Sequence, residues 1–205
     1  MTDISLPPLW GCLLIGGKSS RMGQPKHLLP LADGRVWLER TVALLRRRVV
    51  GLTLVGAGQI PANLTAWPRL EDAVGGQGPL AGIIAAFRHQ PEASWLVVAC
   101  DMPLITERAL DWLLAERRPG DWAVMPRLSG NARSQPLFSW YGPECRPLLE
   151  QRLAWGKMCL HELAAHPAIR SPLVPEALVG NWRNINTPDE LAALNRELAE
   201  AGEEA

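Results

Sequence analysis

Residues 95–100, Trp-Leu-Val-Val-Ala-Cys, are apolar without a break and stop at Asp101. A half-exposed strand alternates apolar and polar residues, because successive side chains point to opposite faces. A strand without alternation has both faces covered, and the architecture that does this is a parallel sheet between two layers of helices. Two further apolar strand candidates, at 11–15 and 52–56, precede it and are separated by helical patterns. Leu80, Ile83, Ile84 and Phe87 follow the spacing of one helix face. Leu110, Leu113 and Leu114, with Trp112 beside them, mark a helix after the third strand. Later segments predict strands at 121–125 and 135–141, helices near 144–154 and 158–165, and a last helix after Pro188. The expected fold class is α/β, with a mostly parallel sheet, helices on both faces and a more irregular C-terminal third. No repeat, low-complexity tract or long linker divides the chain, so residues 1–199 read as a single domain and the acidic residues 200–205 as a frayed tail.

Composition excludes several function classes. A chain of 205 residues is long enough to bury a sizeable core. Its formal net charge is zero, so no basic field draws it to nucleic acid or to an acidic membrane, and any phosphate recognition has to be local. The four cysteines, Cys12, Cys100, Cys145 and Cys159, form no Cys-x-x-Cys pair, which argues against a zinc site and for reduced thiols; Cys12 and Cys100 sit in apolar runs and are expected to be buried. The N-terminal stretch MTDISLPPLW has neither a basic start nor a long apolar core, and no apolar run approaches membrane-spanning length. A cytoplasmic protein is expected.

Ligands of open parallel sheets bind beyond the carboxyl ends of the strands. Three polar segments fall there: 16–26, 56–59 and Asp101-Met102-Pro103. The first begins GGKSSRMG at Gly16 and is no Walker loop, because Gly17-Lys18-Ser19 would require a glycine where Cys12 stands. Nor does its glycine spacing fit a dinucleotide fingerprint. What remains is a strand ending in a glycine pair and a cationic loop. Gly16 and Gly17 let the backbone approach a ligand closely, and amides exposed there bind anionic oxygens. Lys18, Arg21 and Lys26 add cations that point to phosphate, while Ser19 and Ser20 either donate hydrogen bonds or cap the next turn. Asp101, at the end of a buried strand, is either a turn residue or a carboxylate placed to hold Mg²⁺ on a phosphate. Asp72 lies where another strand would end, again as a turn residue or a ligand contact. The segment GGQGPLAG, 75–82, opens flexibly and enters a helix with Pro79 in its first turn; its backbone is either a packed glycine turn or a surface for a flat base.

As a set, these segments carry a family resemblance. LLIGGKSSRMGQPK resembles the signature Leu-x-Gly-Gly-x-Ser-x-Arg-Met-Gly-x-x-Lys of the nucleotidyltransferases typified by molybdenum cofactor guanylyltransferase. EDAVGGQGPLAGI, VVACDMPLI, QPLFSWY and NINTPDEL resemble further blocks of that family in the same order. The resemblance implies a Rossmann-like domain of nucleotidyltransferase type that transfers GMP from Mg²⁺-bound GTP to molybdopterin or the molybdenum cofactor and releases pyrophosphate. It implies that Leu14, Ile15 and Gly16, with Gly17 and Gly56, contact the nucleotide. Lys26 would then meet its phosphates, with Arg21 a further catalytic cation. Asp72 would lie on the nucleoside side, Asp101 would hold Mg²⁺, and Asn184 and Asn186 would face the acceptor pterin. Molybdoenzymes or cofactor-delivery proteins are the implied partners. Three positions depart from the pattern: Ile15 replaces an alanine and narrows the space against the base, Pro25 stands where an aspartate often precedes the lysine, and Gly56 replaces an asparagine found in some members.

GPLAG and NINTP resemble the guanylyl branch, whereas SSRMGQPK is closer to the CTP-dependent molybdopterin cytidylyltransferase cousin. A non-catalytic molybdenum cofactor carrier is the alternative of a different class, which intact Lys26 and Asp101 oppose. The segment HELAAH, 161–166, is not a zinc helix, because His166 falls one residue beyond the His-Glu-x-x-His spacing.

Overall fold

The structure, a computed structural model, describes residues 7–16, 25–31, 34–130 and 133–203, with 198–203 as backbone. Among these, seven strands form one sheet: β1 (Leu9–Leu14), β2 (Gly51–Val55), β3 (Arg69–Leu70), β4 (Ser94–Ala99), β5 (Ala123–Val124), β6 (Phe138–Tyr141) and β7 (Ile169–Arg170), in the order β3-β2-β1-β4-β6-β5-β7. Only β6 runs antiparallel to its neighbours. The chain builds outward from β1 through β2 to β3, then returns to lay β4 on the other side of β1. That reversal is the topological switch point at which open α/β sheets bind ligands.

The uninterrupted apolar run is explained by the two faces of β4. Trp95 and Val97 pack with Leu80, Ile83, Ile84 and Phe87 of α2 (Pro79–His89) and Leu149 of α4 (Arg146–Ala154). Leu96 and Val98 pack on the opposite face with Leu38, Val42 and Leu45 of α1 (Trp37–Leu45) and Leu110 and Leu113 of α3 (Glu107–Ala115). A small third cluster joins Leu29, Trp37, Ile185 and Leu194, and so ties α5 (Pro188–Glu203) to the start of α1. The thiols of Cys12 and Cys145 are buried, that of Cys100 is half-buried and that of Cys159 is exposed. No helix among the described residues is long and apolar enough to cross a membrane.

Departures from the sequence reading lie in the short elements. Strands β3 and β7 have two residues each, too few to show a period. The helix expected near 158–165 is a 3-10 helix, Leu160–Ala165, in which Leu160 and Leu163 are buried at the three-residue spacing of that tighter winding. The last helix runs to Glu203, into the segment read as a tail.

A second 3-10 helix, Glu176–Trp182, docks on the start of α3 through Asn181. The Asn181 carbonyl oxygen accepts from the Thr106 N–H at 2.8 Å and from the Thr106 hydroxyl at 2.7 Å, while Thr106 caps α3 by accepting from the Ala109 N–H. Asn181→Ala removes the acceptor of two part-buried hydrogen bonds, so it is expected to cost about 1 kcal/mol. Urea unfolding followed by circular dichroism measures it, and an unchanged midpoint would show the tie to be idle.

Candidate active site

β1, β2 and β4 end side by side at the switch point of the sheet. Ile15 N–H donates to the Val55 carbonyl at 2.8 Å and Cys100 N–H donates to the Leu14 carbonyl at 3.0 Å, so the three strand exits are laced together. Gly56 lies with φ at +114°, and a Cβ there would stand 2.7 Å from the Gly16 nitrogen. A Cβ at Gly58 would stand 2.4 Å from the Ile15 carbonyl oxygen. Glycine at both positions therefore lets the β2 exit loop close, backbone to backbone, on the end of β1. Arg69 fastens that loop from β3, donating to the Gly58 carbonyl at 2.7 Å and to the Gly56 carbonyl at 3.3 Å. The buried ring of His27 donates through Nε2 to the Gln59 carbonyl at 2.6 Å, and its burial lowers its pKa from the ordinary histidine value. The Ile15 side chain is 2% exposed and packed in the core with Leu13 and Leu54, so its extra carbons fill the core and do not narrow the space beyond the strand ends.

At the β1–β4 junction the charged groups meet. Pro25, with φ at −62°, starts the 3-10 turn Lys26–Leu28, which presents Lys26. Lys26 Nζ donates to Asn186 Oδ1 at 2.7 Å. Asn184 Nδ2 donates to Asp101 Oδ2 in a long contact of 3.4 Å. Asp101 Oδ1 is buried and has no hydrogen-bond partner among the described residues. Burial pushes the Asp101 carboxyl above its ordinary value, against the opposing pull of the Lys26 ammonium. An orphaned, buried carboxylate oxygen beside a lysine is a donor suited to a hard divalent cation shared with phosphate.

On the far side of β1, Asp72 follows β3. Gly82 of α2 stands between it and Leu14: a Cβ there would lie 2.6 Å from Leu14 Cδ2 and 3.4 Å from Asp72 Oδ1. Partial burial raises the Asp72 carboxyl pKa. Gly78 caps α2 at φ +66° and Pro79 opens the helix. The expected contacts Gly17 and Arg21, like Lys18, Ser19 and Ser20, lie outside the described residues.

The structure thus brings Lys26, Asp101, Asn184 and Asn186 into one group and Leu14, Gly82 and Asp72 into another, with Gly16 against Gly56. The asparagines expected to face an acceptor are bonded to Lys26 and Asp101. His27, Arg69 and Glu190 escaped the sequence reading. The spacing Thr187-x-x-Glu190 is a legible capping box, but nothing local marked His27 or Arg69. The residues of HELAAH have structural partners: His161 donates to the Ser134 carbonyl, Glu162 pairs with Arg152, and His166 stacks on Trp122. The Cys100 thiol, beside Asp101, is pushed up to about 12 by burial, which keeps it out of nucleophilic chemistry near neutral pH.

Residues 11–168 match the MobA-like NTP transferase domain. The chain belongs to that family. A probable molybdenum cofactor guanylyltransferase of Pelotomaculum thermopropionicum is 34% identical over 189 residues, covering 88% of this chain and 89% of the relative. A molybdenum cofactor guanylyltransferase of Rhizobium meliloti is 34% identical over 203 residues, covering 91% of this chain and 89% of the relative. The solved structure of molybdopterin-guanine dinucleotide biosynthesis protein A from Archaeoglobus fulgidus superposes with a TM-score of 0.72 at 22% identity, over 94% of this chain and 99% of that one, a likeness of fold. This MobA-like transferase is therefore an α/β nucleotidyltransferase.

The charge on Asp101 opposes folding. Its folded pKa lies above the unfolded one, so the folded state holds the proton longer, and stability falls as pH rises from the unfolded value through the folded one. Asp101→Asn removes that charge and is expected to raise the melting midpoint at neutral pH. The gain should shrink below pH 4 or so, where both states are protonated. A scanning-calorimetry series across pH measures it, and a loss of stability at neutral pH would contradict the assignment of a costly buried charge.

Proposed function

We propose that this protein transfers GMP from GTP to the terminal phosphate of molybdopterin or its molybdenum-bearing form, releasing pyrophosphate. The observation that carries the reading is the juxtaposition of Lys26 with a buried, unpartnered Asp101 oxygen where β1 and β4 end. It is supported by relatives named for this activity that align along most of the chain.

The residues fit the chemistry. An acceptor phosphate is already an anionic nucleophile, so no serine, cysteine or histidine has to be activated. Its oxygen forms a bond to the α-phosphorus of the nucleotide while the bond from that phosphorus to the bridging oxygen of pyrophosphate breaks. Catalysis then consists of aligning the two anions and neutralising their charge. Lys26, now on the neutral Asn186 amide, exchanges that partner for a phosphate oxygen. Asp101 would hold Mg²⁺, which supplies further neutralisation of the leaving pyrophosphate. Asp72, beside Leu14, accepts from the nucleoside, and the glycine-lined exit of β2 offers backbone to the base. Gly16 and Gly17 carry the backbone approach to the phosphates, and Arg21 supplies a second cation.

The test is pyrophosphate release with molybdopterin as acceptor, Mg²⁺, and each of the four nucleoside triphosphates in turn. GTP is expected to exceed CTP by about tenfold in catalytic efficiency, the factor that one lost hydrogen bond supplies. A preference for CTP would assign the cytidylyl reaction, and no release with any nucleotide while the cofactor still binds would assign a carrier.

In the same assay Lys26→Ala is expected to lower kcat by about 10- to 100-fold, since one charge-assisted contact to the developing anion is worth roughly 1.5–3 kcal/mol. The melting midpoint should hardly move. Full activity in the folded variant would remove Lys26 from the reaction.

A further inference from the structure

Lys26 and Asp101 come from loops after different strands, and each is bonded to an asparagine of one segment and not to the other. We propose that Asn184 and Asn186 are positioning residues, held in register by the Thr187–Glu190 cap of α5, which set the ammonium of Lys26 apart from the carboxylate of Asp101 before substrate arrives. The proposal rests on the nucleotidyl-transfer reading.

Asn184 turns its N–H end to the carboxylate, and Asn186 turns its carbonyl end to the ammonium. Between them Ile185 is fully buried with Leu29, Trp37 and Leu194, and its N–H donates to the Asp101 carbonyl at 2.9 Å. One side chain is anchored in the core, and its two neighbours reach Lys26 and Asp101.

The segment is pinned from the other end as well. Glu190 Oε2 accepts from the Asn186 N–H at 2.5 Å and from the Thr187 N–H at 3.2 Å, while Thr187 Oγ1 accepts from the Glu190 N–H at 3.2 Å. This is a reciprocal capping box whose carboxylate also reaches one residue further back, to the backbone that carries the Lys26 partner.

The arrangement has a chemical use. A direct Lys26–Asp101 ion pair would occupy the carboxylate needed for a cation and hold the ammonium away from phosphate. A neutral amide orients each charge without cancelling it, and yields more readily than a carboxylate to a phosphate oxygen.

The chain has three lysines, Lys18, Lys26 and Lys157, so the ammonium region of its proton–nitrogen correlation spectrum is simple, and Lys26→Arg assigns the signal. A protected Lys26 ammonium cross-peak is expected in the wild type and is lost in Asn186→Ala. The same variant is expected to lose about tenfold in kcat with the KM for GTP changed less than about threefold. Glu190→Ala should move both readouts in the same direction, and Glu190→Gln, which keeps an acceptor oxygen, should recover them; a melting curve on each reports the folded fraction. An unchanged cross-peak in Asn186→Ala overturns the proposal. So does an unchanged kcat with only the acceptor KM raised, which would make the asparagines acceptor contacts. A wild type that releases no pyrophosphate with any nucleotide overturns the reaction reading by itself, and the cross-peak still decides whether Asn186 holds Lys26.

Discussion

The double burial of β1 and β4 decides where chemistry can happen in this molecule. Cys12 and Leu13 in β1, and Leu96, Val97 and Val98 in β4, are fully buried, with helices on either side. An unpaired polar side chain along either strand would face no water and cost about 1–3 kcal/mol. The polar side chains in β4 are the Ser94 hydroxyl at its entry, which donates to backbone, and the Trp95 indole; a charged residue follows only after the strand ends, at Asp101. β1 and β4 are the neighbours on which the chain order reverses, and just past β4 the Cys100 N–H grips the Leu14 carbonyl at the end of β1.

Placing a carboxylate at that edge has an energetic consequence. Asp101 is partly enclosed, its charge is disfavoured by burial, and Lys26 offsets only part of that penalty. Among the described residues one of its oxygens has no partner, where a well-placed donor would have stabilised the fold. Stability is lower so that the carboxylate stays available. The Arg48–Asp111 pair on the surface shows the opposite arrangement, a carboxylate engaged by two guanidinium N–H groups and held below its ordinary pKa.

Much of this was legible in the sequence, and the reason is physical. The unbroken run at 95–100 and the helix face of Leu80, Ile83, Ile84 and Phe87 are periodic signals set by burial, and the corresponding elements, β4 and α2, stand where they were expected. Lys26 and Asp101 were legible as polar residues at strand ends. Elements of two residues carry no period, so β7 was not expected and β3 only as an unbounded strand ending before Asp72. Arg69 and His27 were hidden for another reason: each acts on backbone carbonyls, which every residue has, so no pattern of side chains announces them, whereas Glu190 sat in a capping-box spacing that could have been read.

That last point bears on how the proposed reaction would read its base. The wall beside Gly16 is made of backbone: glycines at 56 and 58 remove the side chains, and Arg69 and His27 take up carbonyls of Gly56, Gly58 and Gln59. Each such carbonyl has a second lone pair and a fixed direction. An asparagine at position 56 would have to adopt φ near +114° and drive its Cβ into the Gly16 nitrogen, so here side-chain recognition from that position and close packing on β1 are mutually exclusive. Discrimination between bases then depends on how rigidly the loop is held. A loose loop satisfies either base by shifting, whereas a fixed one leaves a wrong base with unpaired groups. Under the proposed reaction, the residues that would control base choice are therefore the two that fasten the loop from behind, Arg69 and His27.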